Sequence, residues 1–316
     1  MIKLSIVIPI YNESKIIPEL HQRLNKTFAL FKSECNLNLN EIEIIFVNDG
    51  SKDDSLQQLI ALTETNPHYQ VVNFSRNFGH QKAVTAGIDI SVGESVVLID
   101  ADLQDPPEFI AELYKKQNEG YDVVYAVRNK RIGESYFKMA TAKLFYRILF
   151  RMTDISIPLD TGDFRIMRRN VVDVLKKMPE THRFIRGMVS WVGFKQIGLE
   201  YERQERFAGE TKYPFKKMLS FAIDALTSFS TTPLKLVTYF GFIVSLIGLL
   251  GILYVAYTKY FTNNNITGWS SIMVTILFMG GVQLLTLGII GQYIGRISEE
   301  SKNRPLYIID KIYGKK

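Results

Sequence analysis

A buried strand that stops abruptly at two carboxylates constrains this chain more than any other stretch. Residues 96–99 are four consecutive apolar side chains, the pattern of a strand covered on both faces, and Asp100 and Asp102 follow at once. In open α/β sheets, ligands bind at the carboxyl ends of the strands, where one or two carboxylates suffice for a Mg²⁺ or Mn²⁺ that also binds phosphate. The same acids are common in turns and helix caps, and Pro106-Pro107 favours a helix start. Both interpretations remain open from this stretch alone.

Strand and helix patterns alternate along the first half of the chain. Short apolar runs predict strands, and most are followed by a polar turn and then by apolar residues at helical spacing. This alternation predicts an α/β fold with a mostly parallel sheet whose strand ends share one edge. The predicted strands are 4–10, 42–47, 69–74, 96–99 and 121–127, and the predicted helices are 16–31, 53–62 and 81–90.

The composition narrows the classes of function. The formal net charge of +6 favours anionic partners such as phosphates or a membrane surface. No nucleic-acid-binding motif is recognisable, so we do not expect nucleic acid as a partner. The single cysteine, Cys35, excludes an internal disulfide and a cysteine-rich zinc site. The apolar run at the N-terminus is too short for a signal peptide and is interpreted as the first strand.

Three short motifs at the ends of predicted strands resemble those of the inverting family 2 glycosyltransferases. They are Tyr11-Asn12-Glu13 after the first strand, residues 47–51 (Val-Asn-Asp-Gly-Ser) after the second, and residues 100–107 (Asp-Ala-Asp-Leu-Gln-Asp-Pro-Pro) after the fourth. Three motifs in this order are more specific than any one of them. The resemblance implies a nucleotide-sugar-binding domain of the GT-A fold.

The same resemblance implies a role for each polar residue of these motifs. Glu13 and Asp49 would bind the base and ribose of the nucleotide, and Asp100 and Gln104 would contact the nucleotide or the donor sugar. Asp102 would hold Mg²⁺ or Mn²⁺ on the diphosphate, which cannot approach carboxylates without a cation between them. Structural roles stay open for two residues, because Glu13 is also favourable at a helix N-terminus and Asp49 before glycine is a common turn.

Three later segments resemble the polyprenyl-phosphate glycosyltransferases, a branch that includes dolichyl-phosphate mannose synthases and enzymes that glucosylate undecaprenyl phosphate. They are the basic stretch 128–143, residues 161–169 around a predicted glycine turn, and residues 206–213. In the last of these, Thr211 replaces the serine of the familiar Gly-X-Ser-Lys-Tyr run. The resemblance implies that Ser135 belongs to the acceptor-phosphate site and that Arg206 and Lys212 close over the donor diphosphate.

A lipid-phosphate acceptor requires cations more than it requires a base. A phosphate monoester is already anionic near neutral pH, with a second pKa of about 6. Its approach to a nucleotide diphosphate is opposed by charge, and arginine neutralises and orients phosphate. Arg128, Arg131 and Arg165 are the candidates, and Asp163 either positions the acceptor or pairs with Arg165. The predicted catalytic group is Asp100, Asp102, Asp163 and Arg165.

Two long apolar runs predict a membrane hairpin. Residues 236–257 contain no charge and residues 272–294 contain only two glutamines as strongly polar members, so each reaches the roughly 20 residues that a bilayer requires. Basic residues flank the pair on both outer sides, while the loop between them contains only Lys259. This asymmetry predicts an inner-membrane protein with both termini in the cytoplasm. Residues 214–233 predict an interfacial amphipathic helix, although an ordinary core helix would show the same apolar stripe.

The chain therefore divides into a cytoplasmic GT-A domain (1–213), an interfacial helix (214–233), a transmembrane hairpin (234–295) and a cytoplasmic tail (296–316). Glycines recur in both spans and predict close helix packing in a homo-oligomer. The predicted function is inverting transfer of a sugar, with glucose from UDP-glucose as the expected donor, to undecaprenyl phosphate. Mannosyl or aminosugar transfer remains an alternative, as does a membrane scaffold that binds nucleotide sugar without turnover.

Overall fold

The computed structural model describes residues 1–128, 161–204, 232–257, 261 and 268–314. They belong to two compact units. The first, the sheet unit, comprises Met1–Lys143, Ile155–Pro214 and Arg304–Lys316. The second, the helical unit, comprises Leu144–Asp154 and Phe215–Asn303. Of the predicted interfacial helix, only its last residues are described, and they already belong to a longer helix that begins at Thr232.

In its described residues, the sheet unit contains one sheet of eight strands. They are β1 (Leu4–Ile10), β2 (Ile42–Asn48), β3 (Tyr69–Phe74), β4 (Ser95–Leu98), β5 (Val123–Arg128), β6 (Thr161–Arg168), β7 (Gln196–Tyr201) and β8 (Ile309–Gly314). Their order in the sheet is β7-β5-β6-β4-β1-β2-β3-β8. β6 runs antiparallel to β4 and β5, β8 runs antiparallel to β3, and the other pairs are parallel. The predicted α/β fold with a mostly parallel sheet is confirmed.

The helices of the sheet unit cover a core in which the central strands are almost fully enclosed. In the first helix, apolar side chains recur every three or four positions, and Ile17, Leu20, Leu24 and Phe31 are all buried. Pro18 stands in its first turn, where the missing N–H would have no partner within the helix. The helices are α1 (Ile17–Glu34), α2 (Ser55–Thr65), α3 (His80–Ile90), α4 (Ile110–Asn118), α5 (Arg169–Lys177) and α6 (Ile185–Trp191).

Two parts of the chain differ from the sequence-based expectation. Residues 161–168, predicted around a glycine turn, form β6, because their backbone pairs with β4 on one side and with β5 on the other. The tail predicted at 296–316 is divided between the two units. Its first residues continue a helix through Ser301, and its last residues form β8 at the edge of the sheet.

The helical unit contains two long apolar helices, α7 (Thr232–Tyr257) and α8 (Trp269–Ser301). Both are long and apolar enough to cross a membrane, over Leu234–Gly251 and within Ile272–Ser301. Their large apolar side chains are mostly exposed, including Phe242, Leu250 and Leu284 at 70%, 58% and 72%. Exposed apolar side chains are unfavourable in water and favourable in lipid, so the composition of these helices suits a bilayer.

The packing of α3 on β1 leaves no room for a side chain at Gly87. A Cβ there would lie 2.1 Å from Cγ1 of Val7. We therefore expect Gly87→Ala to lower the free energy of unfolding by about 1–3 kcal/mol, because the helix must move away from the strand. The measurement is thermal unfolding of the full chain in detergent.

Ala61→Ser is the matched control, since it adds one heavy atom to an exposed position of α2. Its expected effect is within about 0.5 kcal/mol of zero. An equal loss in both variants would contradict the packing argument.

Candidate active site

Five chain segments meet at the carboxyl edge of the parallel strands. β1, β2 and β4 run in register with one another and end at this edge, so the polar turns that follow them lie side by side. β5 ends there as well, and β6 begins there because it runs antiparallel to β4 and β5. The antiparallel return of β6 therefore brings residues 161–163 beside the turn at 99–105, from which they are distant in sequence.

Asp163, near the start of β6, is a buried carboxylate with three partners. Its side chain is 4% exposed, and its Oδ1 accepts a hydrogen bond from Arg186 Nε at 2.7 Å. Its Oδ2 accepts from Gln81 Nε2 at 3.0 Å and lies 3.2 Å from His80 Nε2. Burial acts to raise the pKa of Asp163, but the charge of Arg186 and the His80 hydrogen bond hold it well below its usual range. Asp163 is therefore ionised and a poor proton acceptor.

Arg165 is buried and donates hydrogen bonds to carbonyl groups of its own strand. Its Nη2 donates to the carbonyl of Gly162 at 2.9 Å and its Nε to the carbonyl of Asp163 at 3.3 Å. Burial lowers the pKa of Arg165 to about 10, which leaves the guanidinium charged at neutral pH. Asp163 was predicted either to position the acceptor or to pair with Arg165. It does form an ion pair, but its partner is Arg186. Arg165 donates to backbone carbonyls instead.

His80, the first residue of α3, lies between two carboxylates. Its Nε2 is 3.2 Å from Asp163 Oδ2 and 3.5 Å from Asp100 Oδ1, and its side chain is 45% exposed. Burial acts to lower the pKa of His80, but the hydrogen bond to Asp163 and the charge of Asp100 outweigh it and raise the pKa. Burial raises the pKa of Asp100 to about 6, against the opposing charge of His80. When protonated, His80 thus supplies the positive charge between these two acids.

The turn after β4 is held in a tight conformation. Asp102 Oδ1 accepts a hydrogen bond from the backbone N–H of Gln104 at 3.1 Å. Leu103 has a φ of 58°, and its side chain is 2% exposed. This left-handed backbone costs about 1 kcal/mol in an L-residue, which burial of the leucine offsets. A short 3-10 helix does begin at Pro107, but no side chain caps it, so Asp100 and Asp102 are turn residues and not helix caps.

The acids of this turn can be compared with the requirements of a metal ion. In the described part of the chain, no cluster of three or more His, Cys, Asp or Glu side chains could hold a metal by itself. Asp100 and Asp102 are partly exposed carboxylates one residue apart. They fit a Mg²⁺ or Mn²⁺ that takes one or two carboxylates and completes its shell with phosphate and water oxygens.

Asp105 fixes the far end of the turn. It is fully buried, the hydroxyl of Tyr201 donates to its Oδ1, and Arg203 Nε lies 4.0 Å from the same atom. Burial raises the pKa of Asp105 despite these partners. Arg128 Nε lies 3.4 Å from the Tyr201 hydroxyl, and its Nη2 lies 2.7 Å from the place a Cβ on Gly162 would occupy. Arg128 is therefore at the edge, directly over the start of β6.

Asp49 holds the loop that follows β3. Its carboxylate accepts hydrogen bonds from the backbone N–H groups of Phe78 at 2.6 Å and Gly79 at 2.9 Å, and from Asn77 Nδ2 at 3.0 Å. Burial raises the pKa of Asp49, which these backbone donors oppose. Asp49 thus shapes the loop around it, and direct contact with a nucleotide stays a prediction.

The remaining predicted residues divide into two groups. At the edge, the Glu13 backbone N–H donates to Ser55 Oγ at 2.9 Å, and Gln104 Oε1 accepts from Arg203 Nη2 at 2.6 Å. Arg131, Ser135, Arg206 and Lys212 lie outside the described residues.

Sequence reasoning missed several residues of the site. His80 and Gln81 could have been found from their place at the start of a helix that follows a predicted strand and its polar loop. For Arg186 and Tyr201 the sequence contains no such signal, since both come from late elements whose position depends on sheet topology. The residues missed are His80, Gln81, Asp105, Arg186 and Tyr201.

The mostly parallel sheet, with its acids and Asp-X-Asp turn at the carboxyl edge where such sheets bind ligands, fits the GT-A fold of glycosyltransferases. The chain belongs to glycosyl transferase family 2, whose family model matches residues 5–175. A second family model, the GtrB C-terminal hairpin, matches residues 232–297, which include α7 and most of α8.

Relatives match the chain over nearly its full length. The uncharacterized glycosyltransferase YkcC of Bacillus subtilis is 54% identical, over 99% of this chain and 95% of its own length. The uncharacterized glycosyltransferase sll0501 of Synechocystis is 48% identical, over 99% of this chain and 96% of its own length. The prophage-derived bactoprenol glucosyl transferase of Shigella flexneri is 42% identical, over 98% of each chain. The protein is thus a glycosyltransferase.

The raised pKa of His80 depends on Asp163, and this dependence can be measured. We expect Asp163→Asn to lower the pKa of His80, because the hydrogen bond to a carboxylate is lost while burial of the ring remains. The measurement is an NMR titration of the histidine ring protons in the full chain, with the His80 resonance assigned by its absence in His80→Gln.

The same pair has a consequence for stability. Because the pKa of His80 is raised on folding, its stabilisation is complete below the unfolded value of about 6.5 and is lost as the pH rises through the folded value. His80→Gln should remove this decline in the unfolding midpoint. An unchanged pH profile in that variant would contradict the assignment.

Proposed function

We propose that this protein transfers glucose from UDP-glucose to the phosphate of undecaprenyl phosphate, with inversion at the anomeric carbon, on the cytoplasmic face of the membrane. The observation that carries the proposal is the conjunction, in one chain, of an acid-lined nucleotide-sugar edge and a hairpin of two apolar helices. The name of the Shigella relative, bactoprenol glucosyl transferase, supports both the lipid and the sugar.

The donor would bind along the turns after β1, β2 and β4. Glu13 and Asp49 are proposed to face the base and ribose, and Asp100 and Gln104 the donor sugar or nucleotide. Asp102 is proposed to hold Mg²⁺ or Mn²⁺, which when bound would neutralise the departing diphosphate. Its partly exposed carboxylate beside Asp100 supports this assignment. Arg206 and Lys212 are proposed to close over the diphosphate.

The acceptor would approach on the side of β5 and β6. Arg128 lies over the start of β6 and is proposed to bind the acceptor phosphate together with Arg131 and Ser135. Arg165 adds a buried positive charge two residues after Asp163.

Proton chemistry is not required for this acceptor. Three groups already occupy the Asp163 carboxylate, and its low pKa makes it a poor base. A phosphate acceptor does not need one, since it is ionised near neutral pH. We therefore propose that the phosphate oxygen attacks the anomeric carbon directly, and that Asp163 positions Arg186 and His80 beside the reacting groups.

The orientation in the membrane is proposed from the sheet itself. β1 at the start of the chain and β8 near its end belong to the same sheet, so both termini lie on one side of any membrane the chain crosses. Two crossings by α7 and α8 satisfy this requirement. The basic residues outside the two apolar runs support the cytoplasm as that side. Close packing of the spans in a homo-oligomer remains part of the proposal.

The metal assignment gives the decisive activity test. Asp102→Asn should lower the rate of sugar transfer to undecaprenyl phosphate by about 100-fold or more, because the neutral amide cannot balance the charge of a metal-bound diphosphate. The assay supplies purified protein with radiolabelled UDP-glucose, undecaprenyl phosphate and Mg²⁺ or Mn²⁺. GDP-mannose and UDP-N-acetylglucosamine in parallel reactions identify the sugar.

Asp173→Asn is the matched control, because this acid is exposed on α5 and should leave activity within about twofold. A wild-type chain that transfers no sugar from any donor would contradict enzyme function and favour a binding scaffold. Equal activity in Asp102→Asn and wild type would contradict the metal assignment alone.

The topology can be tested by labelling in intact cells. In a Cys35→Ser background, a cysteine introduced by Asn264→Cys in the loop between the spans should react with a membrane-impermeant maleimide. A cysteine introduced by Asn303→Cys, just after α8, should react only after lysis. The reverse pattern would contradict the proposed orientation.

A further inference from the structure

The chain that follows the second apolar helix returns to the sheet at the side where the donor would bind. β8 pairs antiparallel with β3, and the register shifts between Asn73 and Phe74, the last two residues of β3. Asn73 pairs with Lys311 and Phe74 pairs with Ile309. Asp310, which lies between these two, has no paired residue on β3 and is the extra residue of a bulge. Bulges re-aim a side chain, and here that side chain is the carboxylate of Asp310.

Asp310 ends a chain of polar contacts that leads to the donor edge. Its Oδ2 accepts a hydrogen bond from Asn73 Nδ2 at 3.1 Å, and Asn73 Oδ1 accepts from Asn48 Nδ2 at 2.7 Å. Asn48 is 1% exposed and immediately precedes Asp49. Because a buried amide is costly without partners, this chain fixes which way both asparagines point. The C-terminal strand is therefore connected through Asn73 to Asn48, the residue before Asp49.

Tyr307 makes a second connection, through aromatic packing. Its ring stacks on Phe74, with centroids 5.2 Å apart and an angle of 11° between the planes. Its hydroxyl donates to Asp89 Oδ2 of α3 at 2.9 Å. The next residue, Ile308, accepts a hydrogen bond from the Ser75 N–H at 3.1 Å. Tyr307 and Ile308 thus contact the end of β3, the start of the loop at residues 75–79, and α3.

The loop at residues 75–79, which the C-terminal residues contact, also shapes the site. Residues 75–79 include the two backbone N–H donors to Asp49, and α3 begins directly afterwards with His80. The loop also packs closely against the turn after β2. A Cβ on Gly50 in that turn would lie only 2.5 Å from the carbonyl carbon of Arg76. A displacement of the loop would therefore move Asp49 and His80 together.

We infer that residues 304–314 are a positioning element for the nucleotide part of the donor, acting through the loop 75–79. This inference rests on the proposed function, since it assigns the edge near Asp49 to the nucleotide. Asp310 and Tyr307 are its positioning residues, and neither is required to touch the donor.

The experiment compares point variants in the full chain. Asp310→Ala and Tyr307→Leu each remove one connection, and the double variant removes both. Asp310→Asn keeps an acceptor oxygen and Tyr307→Phe keeps the ring, so these are the conservative partners. Lys311→Ala is the control, since this neighbouring side chain lies over the Tyr313 ring, 4.9 Å from its centroid. The measurements are KM for the nucleotide sugar, kcat, and the affinity for UDP by calorimetry.

We expect KM for the donor to rise about 5- to 10-fold in the double variant, with a matching loss of UDP affinity and kcat within about twofold. The conservative variants should restore most of the affinity, and Lys311→Ala should match wild type. A fall in kcat at constant KM would mean that the tail contributes only to folding and would overturn the inference. So would unchanged KM and UDP affinity in the double variant.

The inference and the proposed function can fail separately. If wild type transfers sugar but the tail variants bind UDP equally well, only the inference is overturned. If wild type transfers no sugar, the proposed function fails, and UDP affinity decides the inference. Weaker UDP binding in the double variant would then support it, and equal or absent binding would overturn it.

Discussion

The constraint on which this structure depends is the repulsion among carboxylates gathered at one edge of a sheet. Asp100, Asp102, Asp105 and Asp163 lie on turns or strand ends that the topology brings together. Charged groups in a partly enclosed site repel one another strongly unless each has a partner. Arg186 and His80 provide partners for Asp163, and Tyr201 provides one for Asp105. The two acids of the Asp-X-Asp turn are left partly exposed, which is where a cation shared with a substrate diphosphate would be most stabilising.

This division of the acids separates structural from reactive roles. Asp163 and Asp105 are buried and bonded, so they position groups around them. Asp49 belongs with them, because three N–H donors already occupy its carboxylate. Among the described acids of the site, Asp163, Asp105 and Asp49 all have their carboxylates occupied by hydrogen-bond donors, so none of these three is free to act as a base. That combination is consistent with an acceptor that arrives already ionised.

The C-terminal strand brings the chain that follows α8 back to the sheet. Because the first and last strands belong to one sheet, any crossing by α7 must be matched by a return through α8. The edge strand also supports the loop whose backbone holds Asp49. A single element thus connects the end of the described chain to the loop around Asp49, through side-chain as well as backbone contacts.

Local patterns in the sequence were sufficient for the elements and for the residues on turns directly after them. The apolar runs predicted β1 and β3 with their observed bounds, and the acids after β4 needed only the rule that parallel strands end at one edge. The two long apolar helices followed from composition, because an uncharged apolar run of roughly 20 residues is typical of a membrane-spanning helix.

The tertiary structure alone decided the contacts that depend on strand order. A glycine in 161–168 suggested a turn, but pairing with β4 and β5 made a strand of it and placed Asp163 at the edge. Arg186 and Tyr201 reach the site from α6 and β7 only because of that order, and β8 joins β3 across most of the chain length. Sequence determines what is local and periodic. Which distant charges become partners is determined by the register and direction of strands, and these are fixed only when the whole core packs.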